Sequence, residues 1–188
     1  MAQTPSTMLP LGTPLPGFTL TNAVDGKSVS STSLEAQKGV LVMFICNHCP
    51  FVVHVRSQLV KLANAAVDKG FSVVAINSNS EQTHPQDGPS HMKALAQSEG
   101  WKFPFLFDAT QEVAKAFQAA CTPDFYLFDA QKKLAYRGQL DDSRPSNGKP
   151  VTGADLQRAL DAVSAGEVPD TDQKPSIGCN IKWHPGNW

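Results

Sequence analysis

Residues 40–53 read VLVMFICNHCPFVV, an apolar run broken by Cys46, Asn47, His48, Cys49 and Pro50 before apolar character resumes. Residues 39–45 are continuously apolar rather than alternating, which is the pattern of a strand buried on both faces. Beyond the break, Val52, Val55, Leu59, Leu62 and Ala66 recur at steps of three and four, one face of an amphipathic helix, with Gly70 as its C-cap. Residues 71–76 (FSVVAI) supply a second buried strand, and strand–helix–strand at this spacing reads as a right-handed βαβ unit. The two cysteines therefore stand where a buried strand ends and a helix begins.

That position predicts chemistry. The free N–H groups and the positive dipole end of the helix point at Cys46 and favour its thiolate, lowering its pKa below the ordinary value of about 8.5. Two intervening residues bring Cys49 back within reach of a disulfide. Pro50 falls in the first helical turn, where its missing N–H costs nothing. His48 can add positive charge beside the thiolate and make the pair more oxidising. Two blander readings compete. Free cysteines often pack as small hydrophobes, and a CxxC can belong to a zinc site. Zinc, however, wants four ligands, usually from two close pairs. Cys121 and Cys179 are single and far apart, so no metal is expected.

The remainder of the chain sets the frame. The 188 residues, 41% hydrophobic and 18% charged, describe one globular domain spanning 1–188. Sixteen basic against seventeen acidic side chains, with no basic stripe, exclude nucleic acid as a partner. No apolar run approaches the roughly 18 to 20 residues of a membrane span. The start of the chain lacks a charged n-region and a long apolar block, so a cytoplasmic location is expected. The proline-rich first twenty residues read as a surface loop. Residues 18–20 and 27–29 flank Asp25-Gly26 as a short hairpin. A polar loop over 77–89, a helix near 91–99, a strand at 103–107 and a helical stretch at 111–120 follow. Residues 125–128 and 134–136 form a second hairpin, 155–165 a last helix, and 166–188 a tail without periodicity.

This order, with Thr122-Pro123 ahead of the second hairpin, resembles the thioredoxin superfamily. More narrowly, CNHCPFV at 46–52, CTPDFYLFD at 121–129 and YRGQLDD at 136–142 resemble peroxiredoxin-like redoxin-domain proteins of the alkyl hydroperoxide reductase and thiol-specific antioxidant group. The similarity covers about residues 10–165 and leaves the tail as an extension. It implies an α/β thioredoxin-like fold, a central mixed sheet flanked by helices, with an N-terminal β-hairpin and an irregular C-terminal tail. It also implies that Cys46 is the nucleophile, Cys49 the resolving thiol, and Pro123 a cis-proline beside the disulfide that receives the substrate backbone. Asn47, His48, Pro50, Thr122 and Pro123 then support the pair. Three departures stand out. Ile45 replaces the tryptophan before the first cysteine, residues 39–45 hold no acid to take a proton from Cys49, and neither cysteine completes the peroxidase pattern PxxxTxxC.

The expected activity is thiol–disulfide exchange by Cys46 and Cys49. It needs no cofactor, acts on protein or small-molecule disulfides, and draws electrons from a thiol protein or glutathione. The oligomeric state is left open. A thiol peroxidase with an antioxidant role is the alternative enzyme, and a non-catalytic thioredoxin-fold binding module is the alternative from another class. Cys121 and Cys179 read as packing residues that would otherwise serve as accessory thiols. Arg137 reads as a strand anchor in a surface ion pair, His54 as facing solvent or a neighbouring loop, and Trp101, Trp183 and Trp188 as packing residues.

Overall fold

The apolar run at residues 40–44 becomes the middle of the molecule. The structure, a computed structural model, describes residues 3–187; Trp188 lies outside the described residues. In chain order the elements are β1 (Gln3–Pro5), β2 (Thr19–Asn22), β3 (Ser28–Ser30), β4 (Val40–Phe44), α1 (Pro50–Asp68), β5 (Ser72–Asn77), α2 (Pro89–Ser98), β6 (Phe105–Phe107), α3 (Glu112–Ala116), β7 (Cys121–Thr122), β8 (Asp124–Phe128), β9 (Leu134–Gly138), α4 (Ala154–Ser164) and β10 (Ile177–Asn180). Among the described residues a seven-stranded mixed sheet runs β3-β2-β6-β5-β4-β8-β9. Strands β4, β5 and β6 are parallel, while β8 and β9 return antiparallel on the other side of β4.

Strand side chains alternate between faces, and here both faces are covered. Leu41 and Met43 join a cluster with α1, α2 and α4, whereas Val40, Val42 and Phe44 join another with Val113 and Ala114 of α3 and with Phe117. All five residues of β4 are buried, which is why its sequence does not alternate in polarity. Each such side chain contributes about 1.5–3 kcal/mol on burial. Helix α1 buries Val52, Val55, Leu59, Leu62 and Ala66, the stripe read from its spacing, and Gly70 follows its end with φ +99°. The hairpin of β2 and β3 and that of β8 and β9 form as expected. The helical stretch predicted at 111–120 shortens to α3, because Gln111 and Gln118 adopt left-handed conformations on either side of it.

Two terminal expectations are corrected. The first residues and the tail are not only loop. Gln3, Thr4 and Pro5 pair antiparallel with Cys179, Gly178 and Ile177, and Cys179 and Asn180 pair in turn with Thr122 and Cys121. The resulting small sheet, β1-β10-β7, seals the strand edge that leads into Pro123. Strands of two to four residues joined across most of the chain leave no periodicity to read. Among the described residues, no helix is long and apolar enough to cross a membrane.

Candidate active site

Helix α1 begins at Pro50, so its N-cap is Cys49, not Cys46. Pro50 is thus the first helical residue, where proline fits because that N–H has no intrahelical partner. This moves the helix electrostatics one turn along from the position predicted. The neighbouring Cys46 thiol above all, with Cys179, the Val52 amide and the Thr122 side chain, holds the Cys49 thiol well below its ordinary value, although Cys49 makes no side-chain hydrogen bond that caps the helix. Burial opposes them; the Thr122 carbonyl, 3.5 Å away, accepts the Cys49 proton whenever that thiol is protonated. Cys46 is pushed the other way: it gives its proton toward Cys49, is buried, and faces the charge of Asp87. None of the four cysteines is in a disulfide, and within the pair the thiol held down is that of Cys49 while that of Cys46 is raised.

Asp87 was not legible as a site residue. It closes a short 3₁₀ turn, Pro85–Asp87, within the loop predicted only as polar. The Asn77 side-chain amide pins the turn by donating to the Asp87 carbonyl at 2.7 Å. The Asp87 carboxylate is fully buried and takes four donors: the Asn47 and His48 amides on Oδ1 at 2.9 and 3.3 Å, and His48 Nδ1 and Asn79 Nδ2 on Oδ2 at 2.5 and 2.9 Å. The positive charge expected of His48 therefore does not stand alone, since the carboxylate beside it offsets it. His84 stacks on His48 with ring centroids 5.2 Å apart.

Ligand atoms of Cys46, His48 and Asp87 lie within 4.8 Å of one another, the one group of this kind among the described residues. Both carboxylate oxygens and His48 Nδ1 are already spent on hydrogen bonds. The arrangement is therefore better described as an imidazole–carboxylate pair beside a thiol than as a cation cage, with Cys46 Sγ hydrogen-bonded to the Thr122 hydroxyl.

Thr122 and Pro123 arrive from the opposite side. The Thr122–Pro123 peptide is cis, and the Thr122 hydroxyl lies 3.5 Å from Cys46 Sγ. The groove expected beside Pro123 is filled by the chain itself. Gly178 of β10 packs so tightly on Thr122 that a Cβ there would lie 1.9 Å from the Thr122 carbonyl oxygen. What remains by Pro123 is a cavity of about 10 Å³ lined by Phe51, Val55, Ser176 and Ile177 among others, barely room for one water. The Asn47 side-chain amide donates to the Gln86 carbonyl at 3.0 Å.

The accessory residues divide. Cys179, far away in sequence, is brought against Cys49, and burial raises its thiol first, with the Cys49 contact adding to the effect. Cys121 lies on β7 with its thiol 3.9 Å from the Pro123 carbonyl, and burial, then the Asp124 charge, hold it firmly protonated. The Arg137 guanidinium binds the Leu9 carbonyl and Gln173 rather than an acidic partner, tying the N-terminal segment to the tail. His54 Nε2 meets the Ser143 hydroxyl of a neighbouring loop at 2.6 Å. Trp101 packs on Phe103 and Phe105, and Trp183 packs against the α3-side core.

Comparison with known proteins agrees with this architecture. An uncharacterized conserved protein from Geobacillus kaustophilus superposes with a TM-score of 0.96 at 54% identity, covering 99% of this chain and 98% of that one. A hypothetical protein from Sinorhizobium meliloti gives 0.94 at 48% identity, covering 97% and 100%. A thioredoxin-family thiol:disulfide interchange protein from Chlorobium tepidum shares the fold at 23% identity, with a TM-score of 0.62 over 81% of this chain and 97% of that one. A search of curated proteins found no match. The Redoxin family model matches residues 10–156, and the chain is a member of the Redoxin family with a thioredoxin-like fold.

Proposed function

We propose that the protein is a thiol–disulfide oxidoreductase whose Cys46–Cys49 pair cycles between dithiol and disulfide. The observation that carries this reading is the meeting of both sulfurs on Thr122, each 3.5 Å from one of its oxygens, at the start of α1. Cys49 is the N-cap of that helix and the thiol held down, while His48 and Asp87 lie near Cys46. Thiolate is the nucleophile in exchange. The Cys49 thiolate attacks a substrate disulfide, forming a mixed disulfide and expelling one substrate sulfur as thiolate. Cys46 then gives its proton to the His48–Asp87 couple and attacks Cys49 Sγ, closing the Cys46–Cys49 disulfide and expelling the second substrate sulfur. This order reverses the one implied by family resemblance. It also removes the need for an acid near Cys49, because the thiol that must be deprotonated is Cys46.

The strand edge at Thr122 is already occupied by β10, so the reading favours small-molecule disulfides such as oxidised glutathione over extended protein segments. Electrons would return from a thiol donor. The test is reaction of the reduced protein with oxidised glutathione. Wild type should release two equivalents of glutathione and form a Cys46–Cys49 disulfide. Cys49→Ser should be inert, while Cys46→Ser should still attack. If Cys46→Ser is inert and Cys49→Ser accumulates a mixed disulfide on Cys46, the proposed order is wrong.

A further inference from the structure

Three of the four cysteines meet at the start of α1. Strand β10 is held in register on both sides, with Cys179 opposite Gln3 and Thr122, so Cys179 is delivered to its place by main-chain pairing. Gly178 lets the strand lie close enough for this, because any side chain there would strike the Thr122 carbonyl. Cys179 is 1% exposed and shares one apolar cluster with Cys46 and Cys49. Cys179 is paired with Thr122, and the Cys49 sulfur lies 3.5 Å from the Thr122 carbonyl, so the two cysteines meet at that residue; each also perturbs the other's thiol.

We propose that Cys179 is an internal resolving thiol that attacks Cys49 and carries the disulfide onto the C-terminal strand. The step rests on the reading of Cys49 as the redox-active sulfur. From the Cys46–Cys49 disulfide, the Cys179 thiolate forms a bond to Cys49 Sγ as the Cys46–Cys49 bond breaks. Cys46 leaves as thiolate and takes up the proton that Cys179 gave up. From a mixed disulfide on Cys49, the same attack expels the substrate thiolate. Each exchange conserves electrons and requires no further oxidant.

The neighbouring charges gate the step. While Cys49 is a thiolate, its hydrogen bond and its charge both keep the proton on Cys179. Once Cys49 is bonded in a disulfide both of those influences are gone; burial, the largest one, still holds the proton, while Lys182 and the Phe51 amide work against it. Cys179 is thus less firmly protonated once Cys49 is oxidised than in the reduced protein.

The experiment compares full-length Cys46→Ser with Cys46→Ser/Cys179→Ser after treatment with oxidised glutathione, using alkylation under denaturing conditions and peptide mapping. The single variant should lose its glutathione adduct and yield a monomer with a Cys49–Cys179 disulfide. The double variant should keep one glutathione on Cys49 for about tenfold longer or more. Equal adduct lifetimes, or pairing of Cys49 with Cys121, would overturn the proposal. A parallel arm treats Cys46→Ser with diamide, which drives disulfide formation whatever the substrate of the protein. A Cys49–Cys179 bond there supports the inference even if glutathione fails to react, which would count against the proposed function alone. No such bond under diamide overturns the inference while leaving that function standing.

Discussion

Replacing Asp87 by asparagine separates two roles of one buried carboxylate. Its two oxygens accept four hydrogen bonds, two from the backbone of the CxxC turn. An amide can present only one oxygen, so two donors lose their acceptor, at about 1.5–3 kcal/mol for each bond to a charged group. Removing the buried charge relieves a desolvation penalty of several kcal/mol. Two lost bonds amount to about 3–6 kcal/mol and the relieved penalty is of the same order, so the urea midpoint should move by clearly less than the lost bonds alone would give. Chemically, the first step should hardly change, because the Cys49 thiolate rests on other donors. The second step should slow by about a hundredfold, the low end of what a positioned proton acceptor contributes. Stopped-flow mixing with oxidised glutathione in a Cys179→Ser background, with quenched samples weighed by mass spectrometry, should show a mixed disulfide that persists in Asp87→Asn and is fleeting with Asp87 intact. Resolution in the variant should also gain about one power of ten per pH unit, since hydroxide must replace the lost acceptor. Asp87 also holds the Cys46 proton in place through its charge. If that were its main influence, Asp87→Asn would resolve faster than the parent, and the proton-acceptor role would be refuted.

Other outcomes follow from neighbouring groups. Asp124 is fully buried, and burial pushes its carboxyl up to about 7. The folded state therefore holds that proton more tightly than the unfolded chain. The associated stability is fully present below about pH 4 and is lost as pH rises to about 7, up to about 4 kcal/mol in all. Urea midpoints for Asp124→Asn should lack this decline. Gly178→Ala places a Cβ against the Thr122 carbonyl and should loosen β10, speeding alkylation of Cys49 by iodoacetamide in the native protein; unchanged protection would show that the tail does not shield it. Hydrogen peroxide should oxidise the reduced protein slowly and without saturation, because Arg137 is committed to Leu9 and Gln173 and no threonine stands at the peroxidase spacing. Fast, saturable oxidation in stopped flow would assign the protein to the peroxidases.

The parts of this account that were legible in the sequence are those encoded by local pattern. The unbroken run at 40–44 and the three-four spacing from Val52 to Ala66 announced the central strand and its helix, whereas the cis bond at Thr122-Pro123 was implied by the family resemblance. The cap assignment was legible too, though misread: proline favours the first helical position, so Pro50 itself marks Cys49 as the N-cap. Asp87 carried no such mark. It reaches the site through a turn held by Asn77 and Asn79, contacts that no spacing rule anticipates. Cys179 was likewise invisible as a neighbour of Cys49, because its position depends on strand pairing between Gln3–Pro5 and Ile177–Asn180, which are too short to show a period.

The central claim, that Cys46 and Cys49 form one exchanging pair with its charge on Cys49, is tested most directly by equilibrating the protein in glutathione redox buffers and mapping every cysteine after acid quench and alkylation. In a Cys179→Ser background a single two-electron transition that joins Cys46 to Cys49 is predicted, with Cys49 the cysteine that carries transient glutathione at low occupancy. A protein that stays fully reduced across the glutathione range, or one that holds glutathione on Cys46 while Cys49 remains a thiol, would contradict it.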